Sequence, residues 1–364
     1  PEFSGKLSTA LETARVLSCE KRGEWACDCT ACKQTKQLLN PYTVMTGWRG
    51  FITDIRACAS TLSRVRSTAA QYLFVRSVRK LSRRFDTHLF AADETKRKGI
   101  QEIILRMEEL LNQISPEQEL PEDQKLSKIT DEILSCAEKL ESYISRDNIP
   151  VAQVRNILQW CHETAVTEKK VVIMENAAGM LDSSRNALLK ILEEPPRNVH
   201  FILTAPRPDE IIPTIRSRLR NYRFMDRNHG QTTEILSRVF KEEGSGYPSL
   251  KNYFLAWEDI NTELTATLAA RFLDRVMSSK PVILQNEIPE LFDRACPPGL
   301  VRYFLEILLE QFRDIADRQH GEETLSRIER WTRILNTRNR EYNALNISTE
   351  LFLEHLYLDM REAV

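Results

Sequence analysis

Four consecutive apolar residues, VVIM at 171–174, give way at once to Glu175 and Asn176, and a second unbroken run, VHFILTA, occupies 199–205. Continuous apolar runs of this length predict strands covered on both faces of a parallel sheet. Between them SRNALLKILEEPP (184–196) predicts a helix capped by Asp182 or Ser183 and stopped by Pro195 and Pro196. Upstream, GKLSTALETARVLS (5–18) places Leu7, Leu11, Ala14 and Leu17 on one helical face, and PYTVM (41–45) reads as a short strand. Strands alternating with helices predict an α/β layer with a mostly parallel sheet. From about residue 226 the pattern is helical, with breaks at EEGSGYPS (242–249), SSKP (278–281) and CPPG (296–299).

Residues 51–149 interrupt this alternation with helices of another style. Ile103, Ile104, Met107, Leu110, Leu111 and Ile114 form one helical stripe, and Ile129, Ile133, Cys136, Leu140 and Ile144 form a second. Charge divides sharply here. Between 56 and 85 lie eight basic residues (Arg56, Arg64, Arg66, Arg76, Arg79, Lys80, Arg83, Arg84) and no acidic one, whereas 101–147 holds twelve acidic and five basic residues. Two readings fit: a small helical bundle whose basic arm lies on its acidic arm, or a nucleic-acid contact driven by counterion release.

Composition narrows the class without choosing a function. Of the 364 residues 42% are hydrophobic and 28% charged, and the net charge of −1 gives no global case for nucleic acid or membrane. No apolar run approaches a membrane span and no signal peptide is visible, which predicts a cytoplasmic protein. The chain opens at Pro1 without an initiator Met, so residues upstream are expected to be missing.

Two stretches together suggest a nucleotide site. A phosphate-binding loop reads G-x-x-x-x-G-K-[ST], its backbone amides cradling phosphates and its Lys reaching the terminal ones. PEFSGKLS (1–8) supplies Gly5 and Lys6, but Leu7 stands where a hydroxyl would hold Mg²⁺. At the end of VVIM, Glu175 would be a longer substitute for a metal-binding Asp, while Asn176 cannot accept a proton from water. Both requirements of hydrolysis are struck, so ATP binding at this site is doubtful and turnover is not expected.

Cys19, Cys27, Cys29 and Cys32 fall within fourteen residues, spaced C-x₇-C-x-C-x₂-C, while Cys58, Cys136, Cys161 and Cys296 are isolated. In a chain without an export signal the cluster points to a structural Zn²⁺ held by four thiolates, with redox or disulfide use as the alternative. The isolated four read as small core hydrophobes.

NALLKILEEPP (186–196), HFILTA (200–205) and IIPTIRSRLR (211–220), in that order, resemble the AAA+ module of bacterial DNA polymerase III clamp-loader subunits. The cysteine cluster is similar to that family's zinc module, and NTRNREYNALNISTELFLEHLYL (336–358) resembles its collar domain. Within the family the delta-prime type, known for a degenerate nucleotide site, fits best. The resemblance implies an α/β AAA+ P-loop-like module over 1–50 and 150–224, with a zinc knob at 19–32. It further implies an all-α lid at 225–262 and an all-α collar at 263–364, and leaves 51–149 as a helical insertion. The family's Ser-Arg-Cys motif falls on Ser217, Arg218 and Leu219, making Arg218 an arginine finger for a neighbouring subunit; Leu219 departs from the Cys. Thr204 matches the polar sensor position. No Gly-Ser-x-Arg sensor is evident in the lid. The implied partners are gamma/tau-type and delta-type subunits, with the sliding clamp and primer-template DNA met through the complex. Two alternatives stay open: a gamma/tau-type ATPase motor, and a DNA-binding protein acting through the basic insertion.

Overall fold

Three short parallel strands organise the first part of the chain: β1 (Thr43–Thr46), β2 (Lys170–Met174) and β3 (Val199–Leu203), in spatial order β1-β2-β3. In this computed structural model the described residues are 3–90, 94–145, 148–163, 169–244, 246–258, 260–278, 282–293, 298–318, 321–345 and 347–364. Cys296 and parts of the breaks at 242–249, 278–281 and 296–299 lie outside them. The register pairs Thr43 with Val171 and Met174 with Leu203, so the three carboxyl ends finish side by side.

The helices of this part are α1 (Lys6–Ser18), α2 (Thr30–Lys36), α3 (Phe51–Val65), α4 (Thr68–Ser82), α5 (Glu94–Asn112), α6 (Asp123–Glu141), α7 (Val151–His162), α8 (Asp182–Glu193), α9 (Pro213–Arg216) and α10 (His229–Ile235). A π-helical turn, Leu236–Phe240, extends α10. Alternation along β2 explains the layers. Val171 and Ile173 join Met45 and Leu38 under Leu7, Ala10, Leu11 and Ala14 of α1. Val172 and Met174 join Val44 in a second core with Val154, Ile157 and Trp160 of α7 and Leu188 and Ile191 of α8. The sheet is thus covered on both faces, as its unbroken apolar runs require.

One local expectation is corrected. Helix α8 starts at Asp182, its N-cap is Leu181, and no side chain caps it. Asp182 instead pairs with Arg185 at 3.0 Å, where a carboxylate in the first turn still favours the helix dipole. The helix ends at Glu193, and its C-cap, Glu194, immediately precedes Pro195.

Helices α3 to α6 form a bundle in which the basic arm meets the acidic one. Met107, Leu110, Leu111, Ile114, Ile129, Ile133 and Leu140 are buried, matching the two stripes. Arg56 pairs with Glu138 at 2.9 Å, Arg79 with Glu108 at 2.8 Å, and Arg66 with Asp123. The other basic residues are engaged too. Arg64 meets Glu242 at 2.7 Å, Arg76 donates to the Lys36 carbonyl at 3.0 Å, and Arg83 donates to the Thr43 carbonyl at 2.8 Å. With Lys80 and Arg84, treated below, all eight have partners within the chain. This supports the bundle reading and leaves little free charge for a phosphate backbone.

The chain divides into two compact units, Pro1–Lys251 and Asn252–Val364, the division falling within α11 (Leu250–Ala256). The second unit is helical: α12 (Thr262–Met277), α13 (Leu284–Glu287), α14 (Pro289–Phe292), α15 (Pro298–Arg318), α16 (Glu322–Leu345) and α17 (Thr349–Glu362). Its own core includes Leu268, Phe272, Phe304, Leu308, Phe312, Trp331, Phe352 and Leu356. Asn261 caps α12 and Ser348 caps α17, each accepting a backbone N–H with its side-chain oxygen. Trp331 donates its indole N–H to the Met360 carbonyl at 2.8 Å, locking α16 to α17. Among the described residues no helix is long and apolar enough to cross a membrane.

Candidate functional site

The carboxyl ends of parallel strands are where α/β sheets bind ligands, and here that place is filled by an internal charge cluster. Gly47 follows β1 with φ +94°, and a Cβ there would lie 1.9 Å from the Glu175 carbonyl oxygen. Only glycine permits this approach. It brings Arg49 to 3.5 Å from Glu175 Oε1 and 3.8 Å from Asp54. Glu175 Oε2 is bonded by Arg84, whose other terminal nitrogen donates to the Thr46 carbonyl at 3.2 Å. Lys80 closes the network on Asp54 at 2.8 Å. Three cations therefore face two carboxylates, and Arg84 is 3% exposed.

Burial lowers the Arg84 guanidinium to about 10, with Glu175 pulling it back up; it remains charged at neutral pH. Burial pushes the Asp54 carboxyl up, but Lys80 and then Arg49 pull harder and the net shift is downward. A depressed folded-state value means that Asp54 stabilises the fold above its unfolded pKa, near 3.8, and loses that contribution as pH falls through the lower folded value. Thermal melts of the chain and of Asp54→Asn are expected to differ most above pH ~4 and to converge in stronger acid. A constant gap down to the acid limit would contradict this assignment.

Residue by residue, the predicted nucleotide positions are placed as follows. Asn176 sits just past β2 at φ 51°, ψ 48°, a left-handed conformation that Asn tolerates better than most residues. Its backbone N–H points to Thr204 Oγ1 at 3.4 Å, and the Ala177 N–H donates to the Thr204 carbonyl at 2.8 Å. Gly5, at φ +95°, caps α1, and Lys6 begins it. Leu7 is a core residue beneath β2, a position hostile to a metal-binding hydroxyl. Arg227 donates from Nε to the Phe3 carbonyl at 3.0 Å and lies close enough to Gly5 that a Cβ there would meet Nη2 at 2.7 Å. Sequence patterns missed Arg49, Arg84 and Arg227, because each meets its partner across long stretches of chain.

Arg218 lies just beyond α9 with its side chain 32% exposed. It donates to the Thr214 carbonyl at 2.7 Å and pairs with Glu193 at the end of α8.

The four clustered cysteines converge as the spacing suggested. Their sulfurs all lie within 4.8 Å of one another, and Cys19 is 3.6 Å from Cys27 and 4.0 Å from Cys29. A zinc–sulfur bond near 2.3 Å in a tetrahedron sets sulfurs about 3.8 Å apart, whereas a disulfide needs roughly 2.05 Å. Donors aim at the sulfurs: Lys21 and Gly23 N–H at Cys19 (3.3 and 3.2 Å), Cys32 N–H at Cys29 (3.4 Å), and Arg15 at Cys32 (3.1 Å). The Lys21 N–H is the main cause that draws the Cys19 thiol down to about 7, while burial drives Cys32 up to about 12. Such donors support metal-bound thiolates; the residues present fit a four-coordinate metal with no open position.

The model of the family described as "DNA polymerase III, delta subunit" matches residues 67–228. The chain is 39% identical over 100 residues to DNA polymerase III subunit delta' of Buchnera aphidicola, a match covering 27% of this chain and 29% of that one. With subunit delta' of Escherichia coli it shares 38% over 76 residues, covering 21% and 23%. The chain resembles bacterial clamp-loader subunits of the delta-prime type. It also matches DNA polymerase III subunit gamma/tau of Mycobacterium tuberculosis, 37% identical over 75 residues, covering 21% and 13%. The matches thus span 13% to 29% of these relatives' own lengths. A solved gamma subunit-related protein from Thermotoga maritima, 19% identical, covers 59% of this chain and 80% of its own at a TM-score of 0.29, too low to add to the fold.

Proposed function

We propose that this chain is a non-hydrolysing, delta-prime-like subunit of the DNA polymerase III clamp loader. It carries an AAA+-like module over 1–50 and 150–224, with a zinc knob and a sealed nucleotide position, followed by a lid over 225–262 and a collar over 263–364. In the cytoplasm it assembles with gamma/tau-type and delta-type subunits, meets the sliding clamp and primer-template DNA through that complex, and offers Arg218 to a neighbour's ATP.

What carries the reading is a contrast between Glu175 and Arg218, both within the matched residues 67–228. Glu175 is sealed by two arginines, whereas Arg218 is partly exposed and has one carboxylate partner, Glu193. Chemistry is blocked inward and available outward. A fixed, forked, permanently charged side chain suits the oxygens of a γ-phosphate.

The gamma/tau matches keep a motor reading as the alternative. Purified with its organism's gamma/tau-type and delta-type subunits, the chain is expected to co-elute as one complex in size-exclusion chromatography with light scattering. Alone, it is expected to hydrolyse no ATP. Turnover by the isolated chain that Lys6→Ala abolishes would replace this reading with the motor.

A further inference from the structure

Just past α4, in the segment that interrupts the α/β pattern, Arg84 is the most buried of the eight basic side chains, at 3% exposure with Arg79 next at 4%. We propose that Arg84, seconded by Arg49, stands where a divalent cation would have to stand at Glu175, so that the strand-end pocket is a closed joint between the sheet and the 51–90 helices and takes no metal-bound nucleotide.

Ligand by ligand, the pocket is already occupied. Glu175 Oε2 is taken by Arg84, and Oε1 faces Arg49 at 3.5 Å. Mg²⁺ needs its oxygens at about 2.0–2.1 Å in near-octahedral order, and here it would compete with a guanidinium for each oxygen of the carboxylate. Thr46 Oγ1 is turned to Gln153 at 2.8 Å, and Thr204 Oγ1 faces the Asn176 N–H. Asp54, the other carboxylate nearby, is held by Lys80. A metal would enter a poorly solvated place where cations already outnumber carboxylates, and repulsion there is weakly screened. Arg84 is fixed from its apolar side as well, its guanidinium carbon lying 5.4 Å from the centre of the Phe51 ring. Phe51 and Arg84 both come from the segment that interrupts the pattern, so that segment closes the pocket.

The proposal deepens the reading of Glu175 as a nucleotide-fold carboxylate and rests on it, but it needs no partner subunit. Mn²⁺ binding by the full chain, read from the electron paramagnetic resonance signal of the free ion with and without ATP, tests it. The thiolate knob is a poor competitor, since Mn²⁺ prefers oxygen ligands. The wild-type chain is expected to leave the signal unchanged. Arg84→Met is expected to bind Mn²⁺ more tightly by roughly ten-fold or more, because a charge beside the ion is removed, and Arg84→Met with Glu175→Gln should lose that gain. Wild-type uptake of Mn²⁺ that Glu175→Gln abolishes would overturn the proposal, as would a folded Arg84→Met that binds no better than wild type. Should Arg84→Met not fold, wild type against Glu175→Gln decides: equal, negligible uptake of Mn²⁺ with ATP supports the closed joint, and uptake lost in Glu175→Gln refutes it. Failure here leaves the finger-donor role untouched, and failure of that role leaves the Mn²⁺ result standing.

Discussion

Stripping the metal from the cysteine knob is expected to unfold residues 19–32 while the three-stranded sheet remains intact. The knob has little else to hold it. Its buried cluster is Cys27, Cys29 and Cys32, with Cys19 and Ala31 packed against them. A structural zinc supplies on the order of 10 kcal/mol in such a setting, and no apolar packing on that scale is present to replace it. Arg15 of α1 ties the knob to the sheet layer, donating to the Gly23 and Glu24 carbonyls at 2.8 and 3.1 Å and to Cys32. Glu12 holds the same guanidinium at 2.6 Å. That anchor belongs to a helix packed on β2, so it should survive when the knob does not. Metal analysis of the purified chain is expected to give one zinc per chain, and Cys32→Ser to abolish it. Hydrogen exchange with chelator should then show lost protection over 19–32 and none lost at β2. Full protection of the knob after complete metal removal would contradict a structural metal.

The sheet and its flanking helices were legible because their signals are local. VVIM and HFIL carry the continuous apolar pattern of covered strands, and α1 carries its core face at helical spacing. The cysteine cluster was legible for the same reason, since all four thiols lie in one short stretch. The strand-end cluster was not. Glu175 and Arg84 lie 91 residues apart, and Arg227 reaches Phe3 across 224. Periodicity says which face is buried, but it is silent on which distant segment covers it. A clue did exist: Arg84 falls between Leu81 and Phe85, both buried. An arginine placed among core residues demands a carboxylate and carbonyl partners, and Glu175 and the Thr46 carbonyl meet that demand. The basic run of 56–85 likewise looked like a surface while it was read as charge alone. Partner by partner, it is the internal cement of the first unit.

Replacing Arg218 by Ala is expected to have the largest effect on activity, and that effect should appear in a neighbour. An arginine finger contributes roughly 10³–10⁵ in rate at the site it completes. To act, Arg218 must leave Glu193, and a partly exposed pair of this kind is worth only about 0–1 kcal/mol. Release is therefore easy, and the carbonyl of Thr214 can keep the side chain oriented. Arg218→Lys should not rescue the loss, because an ammonium lacks the planar fork. Glu193→Gln should leave the rate unchanged or raise it. The measurement that bears most directly on the proposed role is DNA-stimulated ATP hydrolysis by the assembled complex, with wild-type chain and with Arg218→Ala. The expected result is an intact complex in which one ATP site falls silent, turnover dropping to the share of the sites that remain. An intact Arg218→Ala complex with undiminished turnover would contradict it.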